Sequence, residues 1–203
     1  MIKQGIKDAY YSVLRPASFL LKPVYALKFS RRPKPLRVHV GCGKNYLNGF
    51  INIDGNAMRK VDAVLDVRVG LPFADDSVSF IYSCHMLEHL QIYDAMNLLR
   101  EWKRVLEPGG HARLTLPDFT HVLQIMAGEA GCDFPRPFRS REGQAINFLF
   151  CDSQHKYGYS FDLVKELAAD LGFDRVERAD VGHDPLLGSI EEPAGSFVAN
   201  LYK

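Results

Sequence analysis

The chain has 203 residues, 47% of them apolar and 24% charged, with a formal net charge of +1. That is an ordinary globular composition, long enough for one domain with a full core, and basic clusters beyond residue 35 are too sparse for a nucleic-acid binder. Four well-spaced cysteines (Cys42, Cys84, Cys132, Cys151) form no C-x-x-C pair, which argues against a disulfide framework or cysteine zinc site and makes the cytoplasm the expected compartment.

Charge is uneven along the chain. Residues 1–35 hold eight Lys/Arg against Asp8, a balance of +7, and the remainder carries 17 against 23, a balance of −6. Residues 2–30 are also apolar and aromatic, and Pro16 and Pro23 predict two or three short helical pieces rather than one helix. One reading is a pre-domain cover packed on the sheet over the ligand. The other is peripheral contact of residues 1–30 with an anionic membrane surface, at its inner face. No run approaches the roughly 18 apolar residues of a membrane span, and MIKQGIKDAYY lacks the apolar core of a secretory signal. RRPKP, residues 31–35, is a stiff linker. The expected division is therefore an N-terminal helical extension, 1–35, and a domain, 36–203.

Leu36, Val38 and Val40 read as a buried strand of a parallel sheet. Gly41-Cys42-Gly43 lets the backbone bend sharply and keeps side chains away from a ligand. Asp54 closes the next apolar run, Phe50 to Ile53. Ligands of open α/β sheets sit beyond the carboxyl ends of the strands, where a carboxylate can accept two hydrogen bonds from a ribose diol. A dinucleotide fingerprint needs a third glycine, which is Tyr46 in this frame, and an acid about 20 residues on. Asp54 follows Gly43 by 11 positions, too few for a full crossover helix and strand. The ligand implied has a ribose and no pyrophosphate, as S-adenosylmethionine does.

Val61 to Leu65 is the predicted third strand, ending at Asp66. LPFADDS, 71–77, is a turn signature, and Val78 to Tyr82 the fourth strand, with Ser83-Cys84-His85 at its end. His85, Glu88 and His89 are spaced like metal ligands at a helix start, but a further ligand is needed and nothing in the sequence points to one, so no metal is expected. Ala95 to Leu106 has helical apolar spacing, stopped by Glu107-Pro108-Gly109-Gly110. His111 to Leu116 is the fifth strand. Residues 119–159 lack a clear pattern. Ser160 suits the N-cap of a helix Phe161 to Leu171. Arg175 to Val181 and Phe197 to Tyr202 complete the sheet as a hairpin, the last strand antiparallel, with Gly182 to Gly195 a connecting loop.

VHVGCG, INID, LPFADDSVSFIYSCHMLEHL and LLREWKRVLEPGGHARLTLPD occur in that order, and together they resemble the class I S-adenosylmethionine-dependent methyltransferases. The nearest likeness is to the small type 11-like branch associated with polysaccharide or natural-product biosynthesis. The chain departs from the usual pattern at His39, where an acid is usual, and at Asn45, where a glycine is. The resemblance implies a Rossmann-like, seven-stranded, mostly parallel sheet with helices on both faces. It implies cofactor contacts from Gly41, Cys42, Gly43, Asp54, Asp66, Val67, Ser83 and His85, and S-adenosylhomocysteine as product. His89 is implied to be structural, and the insertion, about 119–159, to form the acceptor pocket. A hydroxyl acceptor needs a base, and His155 and His85 are the candidates. The acceptor class is a small molecule or glycan, and oligomeric state is left open. Two rivals remain: a catalytically inactive cofactor-binding partner module, and a nucleotide-dependent enzyme on a related sheet.

Overall fold

The computed structural model describes residues 4–189 and 192–203. Lys3 of the basic N-terminal set and residues 190 and 191 of the expected connecting loop lie outside the described residues. The elements in order are α1 (Gln4–Ser30), β1 (Leu36–Val40), β2 (Ile51–Asp54), β3 (Ala63–Val64), β4 (Val78–Cys84), α2 (Ile92–Val105), β5 (Leu106–Pro117), α3 (Phe119–Ala127), α4 (Arg141–Phe150), α5 (Phe161–Asp170), β6 (Arg175–Ala179), β7 (His183–Asp184), β8 (Gly188–Ser189) and β9 (Ser196–Tyr202).

Among the described residues, seven strands form one sheet in the order β3-β2-β1-β4-β5-β9-β6. The pairs from β3 through β5 are parallel, and β9 runs antiparallel to both β5 and β6. This is the Rossmann-like sheet the motifs imply. Strand order reverses at β1, which pairs with β2 on one side and β4 on the other. A crevice opens beyond the carboxyl ends of strands at such a reversal, and the glycine turn begins there.

The core follows from the apolar pattern. Val38, Val40, Ile53, Ile81 and Leu114 are fully buried, as are Leu98, Leu99, Trp102 and Val105 along one stripe of α2. Each such side chain contributes about 1.5–3 kcal/mol of burial. Phe50, Phe80 and Tyr82 form a separate cluster with Leu47, Cys84 and Leu187. Ser160 caps α5, its hydroxyl accepting from Leu163 N–H at 3.2 Å.

Four expectations are corrected. Pro16 and Pro23 do not divide the N-terminal segment: α1 is one helix containing both. They lie seven residues apart on its exposed side, and the carbonyls that lose a donor, Ser12 and Phe19, belong to exposed residues where water can serve. The opposite stripe holds the helix down through Tyr25, Phe29 and Phe73, stacked at 6.0 and 5.6 Å between centroids. Ser18 Oγ also accepts from Asp66 N–H at 2.9 Å. Strand β5 starts at Leu106 rather than His111, because a register shift between Val78 and Phe80 absorbs the Pro-Gly-Gly stretch. The segment from His85 to His89 is not the start of an α-helix; Leu87–His89 forms a 3₁₀ turn and α2 begins at Ile92. The loop after β6 contains the β7–β8 ladder. Buried Arg113 anchors it, donating to Asp180 O at 2.6 Å and pairing with Glu192 at 3.0 Å and Asp184 at 3.5 Å.

Candidate active site

The glycine turn and the acid eleven residues later meet in space. Asp54 Oδ2 accepts from Gly43 N–H at 2.8 Å and Oδ1 from Asn56 N–H at 2.7 Å. A carboxylate has about four acceptor sites, so it retains acceptor capacity toward a diol. Gly41 and Gly43 take φ of 72° and 52°, in the left-handed region that favours glycine. A Cβ on Gly43 would meet nothing within 4 Å, whereas one on Gly41 would lie 2.2 Å from Met86 Cγ. The first therefore faces the open crevice and the second packs against the turn after β4. No helix intervenes between β1 and β2 among the described residues. These residues offer what the adenosyl half of S-adenosylmethionine would need: a bare backbone cradle and a carboxylate with acceptor capacity left for a diol.

The other residues named from the motifs are placed as follows. Asp66 is buried and caps the turn Val67–Val69; Arg68 forks its carboxylate, with Nε at 2.9 Å from Oδ1 and a terminal nitrogen at 2.6 Å from Oδ2. Its carboxylate is thus committed locally, and Val67 opens the turn beside it. Cys42 is buried, and burial, then Asp54, pushes its thiol up to about 12. Cys84 is likewise raised, to about 11, by burial. Both stay neutral thiols near pH 7 and are poor nucleophiles. Ser83 is fully buried, and its hydroxyl has no partner among the described residues. His39 lies in β1, 4.9 Å from the Tyr82 ring, and burial lowers it to about 4.

His85 and His155 come together around Glu88. His85 follows β4 with a left-handed φ of 49°, a conformation that costs a non-glycine residue about 1–2 kcal/mol and is frequent at functional sites. Its Nδ1 lies 3.5 Å from Glu88 Oε1 and its Nε2 is 2.7 Å from Ser196 Oγ. His155 Nε2 lies 3.9 Å from the same Glu88 oxygen. The end of the insertion is strapped to the turn: Lys156 and Tyr157 N–H donate to Glu88 O at 2.7 and 3.3 Å. Burial lowers both histidines to about 4, with neighbouring histidines adding to the effect. Burial raises Glu88 to about 8. Met86, which packs on Gly41, links this cluster to the glycine cradle. A small cavity beside it is lined by Glu88, Phe119, Leu149, His155 and Tyr159.

Sequence reasoning missed three participants. The sequence marks Glu88 only by metal-ligand spacing, and its burial is invisible there because the turn is short and polar. Ser196 meets His85 through β9, which inserts beside β5 from the far end of the chain. Tyr11 on α1 packs over Gly55, next to Asp54, within 2.7 Å of where a Cβ would lie; nothing local in its sequence signals that contact.

Comparison with known proteins matches residues 50–114 to a family model described as a methyltransferase domain. That span begins after the glycine turn and includes Asp54, Asp66, Ser83, His85, Glu88 and His89. Among solved structures, a SAM-dependent methyltransferase from Archaeoglobus fulgidus is 14% identical with a TM-score of 0.57, covering 92% of this chain and 95% of its own. A SAM-dependent methyltransferase from Thermotoga maritima is 15% identical, TM-score 0.52, covering 96% and 94%. One from Mesorhizobium loti is 15% identical, TM-score 0.51, covering 90% and 98%. At such identities the likeness speaks to fold. No curated protein sequence matches the chain. The chain thus carries a methyltransferase-domain match over residues 50–114, on a sheet that it shares with solved S-adenosylmethionine-dependent methyltransferases.

Proposed function

We propose that the chain methylates a hydroxyl group of a small-molecule or glycan acceptor. The observation that carries this reading is the pairing of two histidines, His85 and His155, at one buried carboxyl group, that of Glu88, immediately beside the glycine cradle. The bound cofactor supplies an electrophilic methyl on a sulfonium, so the protein's task is positioning and proton handling. A hydroxyl must give up its proton before or during attack. Burial keeps both histidines neutral, so each has an unprotonated ring nitrogen at pH 7. Gly41, Cys42, Gly43, Asp54, Val67 and Ser83 form the cofactor side, with Asp66 setting the turn that carries Val67.

Residues 119–159 supply the acceptor side. Phe119, Leu123, Met126, Ile146 and Phe150 are exposed apolar residues on α3 and α4, which suits an acceptor with a lipid or aromatic portion. Residues 1–35 act as a separate extension on the domain, 36–203. The solvent side of α1 exposes Val13, Phe19, Leu20, Val24 and Leu27, 58–75% exposed, with Arg15, Lys28, Arg31 and Arg32 around them. No helix of the described residues is long and apolar enough to cross a membrane. That face supports peripheral contact with an anionic bilayer, at the cytoplasmic side, while the opposite face covers the cofactor loop. The polysaccharide or natural-product setting fits a lipid-linked glycan acceptor at that surface.

The test is incubation of the purified chain with S-adenosylmethionine and panels of hydroxylated, amine and thiol acceptors, with S-adenosylhomocysteine release as readout. Turnover with hydroxyl acceptors, reduced at least 100-fold in a His85→Ala, His155→Ala double variant, supports the reading. Turnover confined to amines or thiols, or unaffected by that change, removes it.

A further inference from the structure

Glu88, His89 and His155 each offer a ligand atom, and those atoms lie within 4.8 Å of one another. The sequence presents the first two on one turn and gives no hint of a third; the strap at 154–157 delivers it. Three features distinguish this group from a cluster of ordinary polar contacts.

Glu88 is 1% exposed, and neither of its carboxylate oxygens has a hydrogen-bond partner among the described residues. The His85 and His155 nitrogens that face it stand at 3.5 and 3.9 Å, beyond hydrogen-bonding distance. A buried acid is normally hydrogen-bonded, paired with a cation or bound to a metal. The rings are also held in place from outside the cluster. His89 Nδ1 is 3.1 Å from Gln154 O and His155 Nδ1 is 3.1 Å from Leu149 O. A carbonyl only accepts, so in each neutral ring the proton sits on Nδ1 and the electron pair on Nε2. An imidazole oriented by a backbone carbonyl through its other nitrogen is the usual state of a metal-ligating histidine. Finally, ligand atoms around an ion at about 2.0–2.2 Å lie roughly 3–3.5 Å apart, so a small closing movement of these side chains suffices.

We propose that Glu88, His89 and His155 bind a divalent transition-metal ion beside the methyl-donor pocket. Two imidazoles and one carboxylate suit zinc, manganese, iron or cobalt, and three protein ligands leave a position open, as at catalytic rather than structural sites. An acceptor hydroxyl can occupy that position; this second part rests on the hydroxyl reading above, while ion binding itself does not. The bound oxygen has a lowered pKa. It gives its proton to His85, forms the new C–O bond to the methyl carbon as the C–S bond breaks, and the electron pair stays on sulfur in S-adenosylhomocysteine. His155 then ligates, and His85 is the one proton acceptor of the pair.

The test uses the full chain freed of metal and titrated with Co²⁺, followed by calorimetry and visible absorption. The expected result is one equivalent bound, a ligand-field band, displacement by Zn²⁺, and paramagnetic shifts of the His89 and His155 ring resonances. Glu88→Gln and His155→Ala weaken binding at least 100-fold while S-adenosylhomocysteine affinity changes less than threefold, which also shows that the variants fold. Absence of stoichiometric binding to the parent chain, or unshifted His89 and His155 resonances, overturns the site without recourse to any variant. Hydroxyl methylation that persists after removal of all bound metal overturns the ion's part in the reaction, and leaves the hydroxyl reading standing. Co²⁺ bound at these residues in a chain that methylates no hydroxyl keeps the site and ends the hydroxyl reading.

Discussion

Gly41 and Glu88 are the two residues at which single substitutions are most telling. Gly41 combines a left-handed φ with a Cβ position 2.2 Å from Met86 Cγ and 2.6 Å from Met86 Cβ, atoms near the Met86 backbone that cannot simply swing away. Gly41→Ala is expected to cost about 2–4 kcal/mol, the sum of backbone strain and overpacking, read as a lowered urea midpoint, with weaker S-adenosylhomocysteine binding. Glu88 carries the opposite lesson, that a native residue can be costly. Burial raises its pKa to about 8, so its folded carboxyl holds a proton that the unfolded chain releases above its ordinary value. Stability associated with it is present at low pH and lost as pH rises through about 8. In the presence of a chelator, Glu88→Gln should match the parent at pH 5 and exceed it by about 3 kcal/mol at pH 8. Thermal unfolding at both pH values measures this; a variant less stable at pH 8 than the parent contradicts the assignment.

At the scale of the element, α1 gives two predictions of different size from its two faces. Phe29 is 1% exposed and stacked between Tyr25 and Phe73, so Phe29→Ala should cost about 3–5 kcal/mol. Leu20 is 75% exposed, and Leu20→Ala should change stability by less than about 0.5 kcal/mol. Flotation with anionic vesicles separates the faces further: a Leu20→Glu, Val24→Glu variant loses the binding expected of the parent chain and keeps its melting temperature. Undiminished flotation would show that the exposed stripe serves something other than a bilayer. This helix also marks how far sequence goes. Proline content suggested fragments, because the rule is local, whereas continuity comes from Tyr25, Phe29 and Ser18 gripping residues 66–73. Element ends were legible where apolar runs met glycine, at Val40-Gly41 after β1 and at Leu171-Gly172 after α5. That Gly43 and Asp54 meet was legible too, since eleven residues leave no room for a crossover helix. Contacts of His155 with Glu88, and of Ser196 with His85, were not, because tertiary closure over long separations creates them and no local periodicity records it.

At the scale of the whole molecule, the chain keeps several histidines out of water. Burial lowers His39, His85 and His155 each to about 4. The unfolded chain binds protons at these sites between their ordinary value and 4, so the stability they contribute is present above about pH 6.5 and lost as pH falls toward 4. Each should withdraw up to about 2 kcal/mol between pH 7 and 5, partly offset by Glu88. A fall in melting temperature over that interval, made smaller by His39→Asn, is the expected outcome. A melting temperature flat from pH 7 to 5 would mean these rings are hydrated. The sheet reversal at β1 gathers the glycine cradle, the Asp54 acceptor and the histidine turn at one edge, where the adenosyl group is expected to sit. Calorimetry with S-adenosylhomocysteine on the parent chain and on Asp54→Ala tests it most directly. Loss of two charge-assisted hydrogen bonds to the ribose predicts affinity reduced about 100-fold or more, and equal affinity in the two proteins would contradict it.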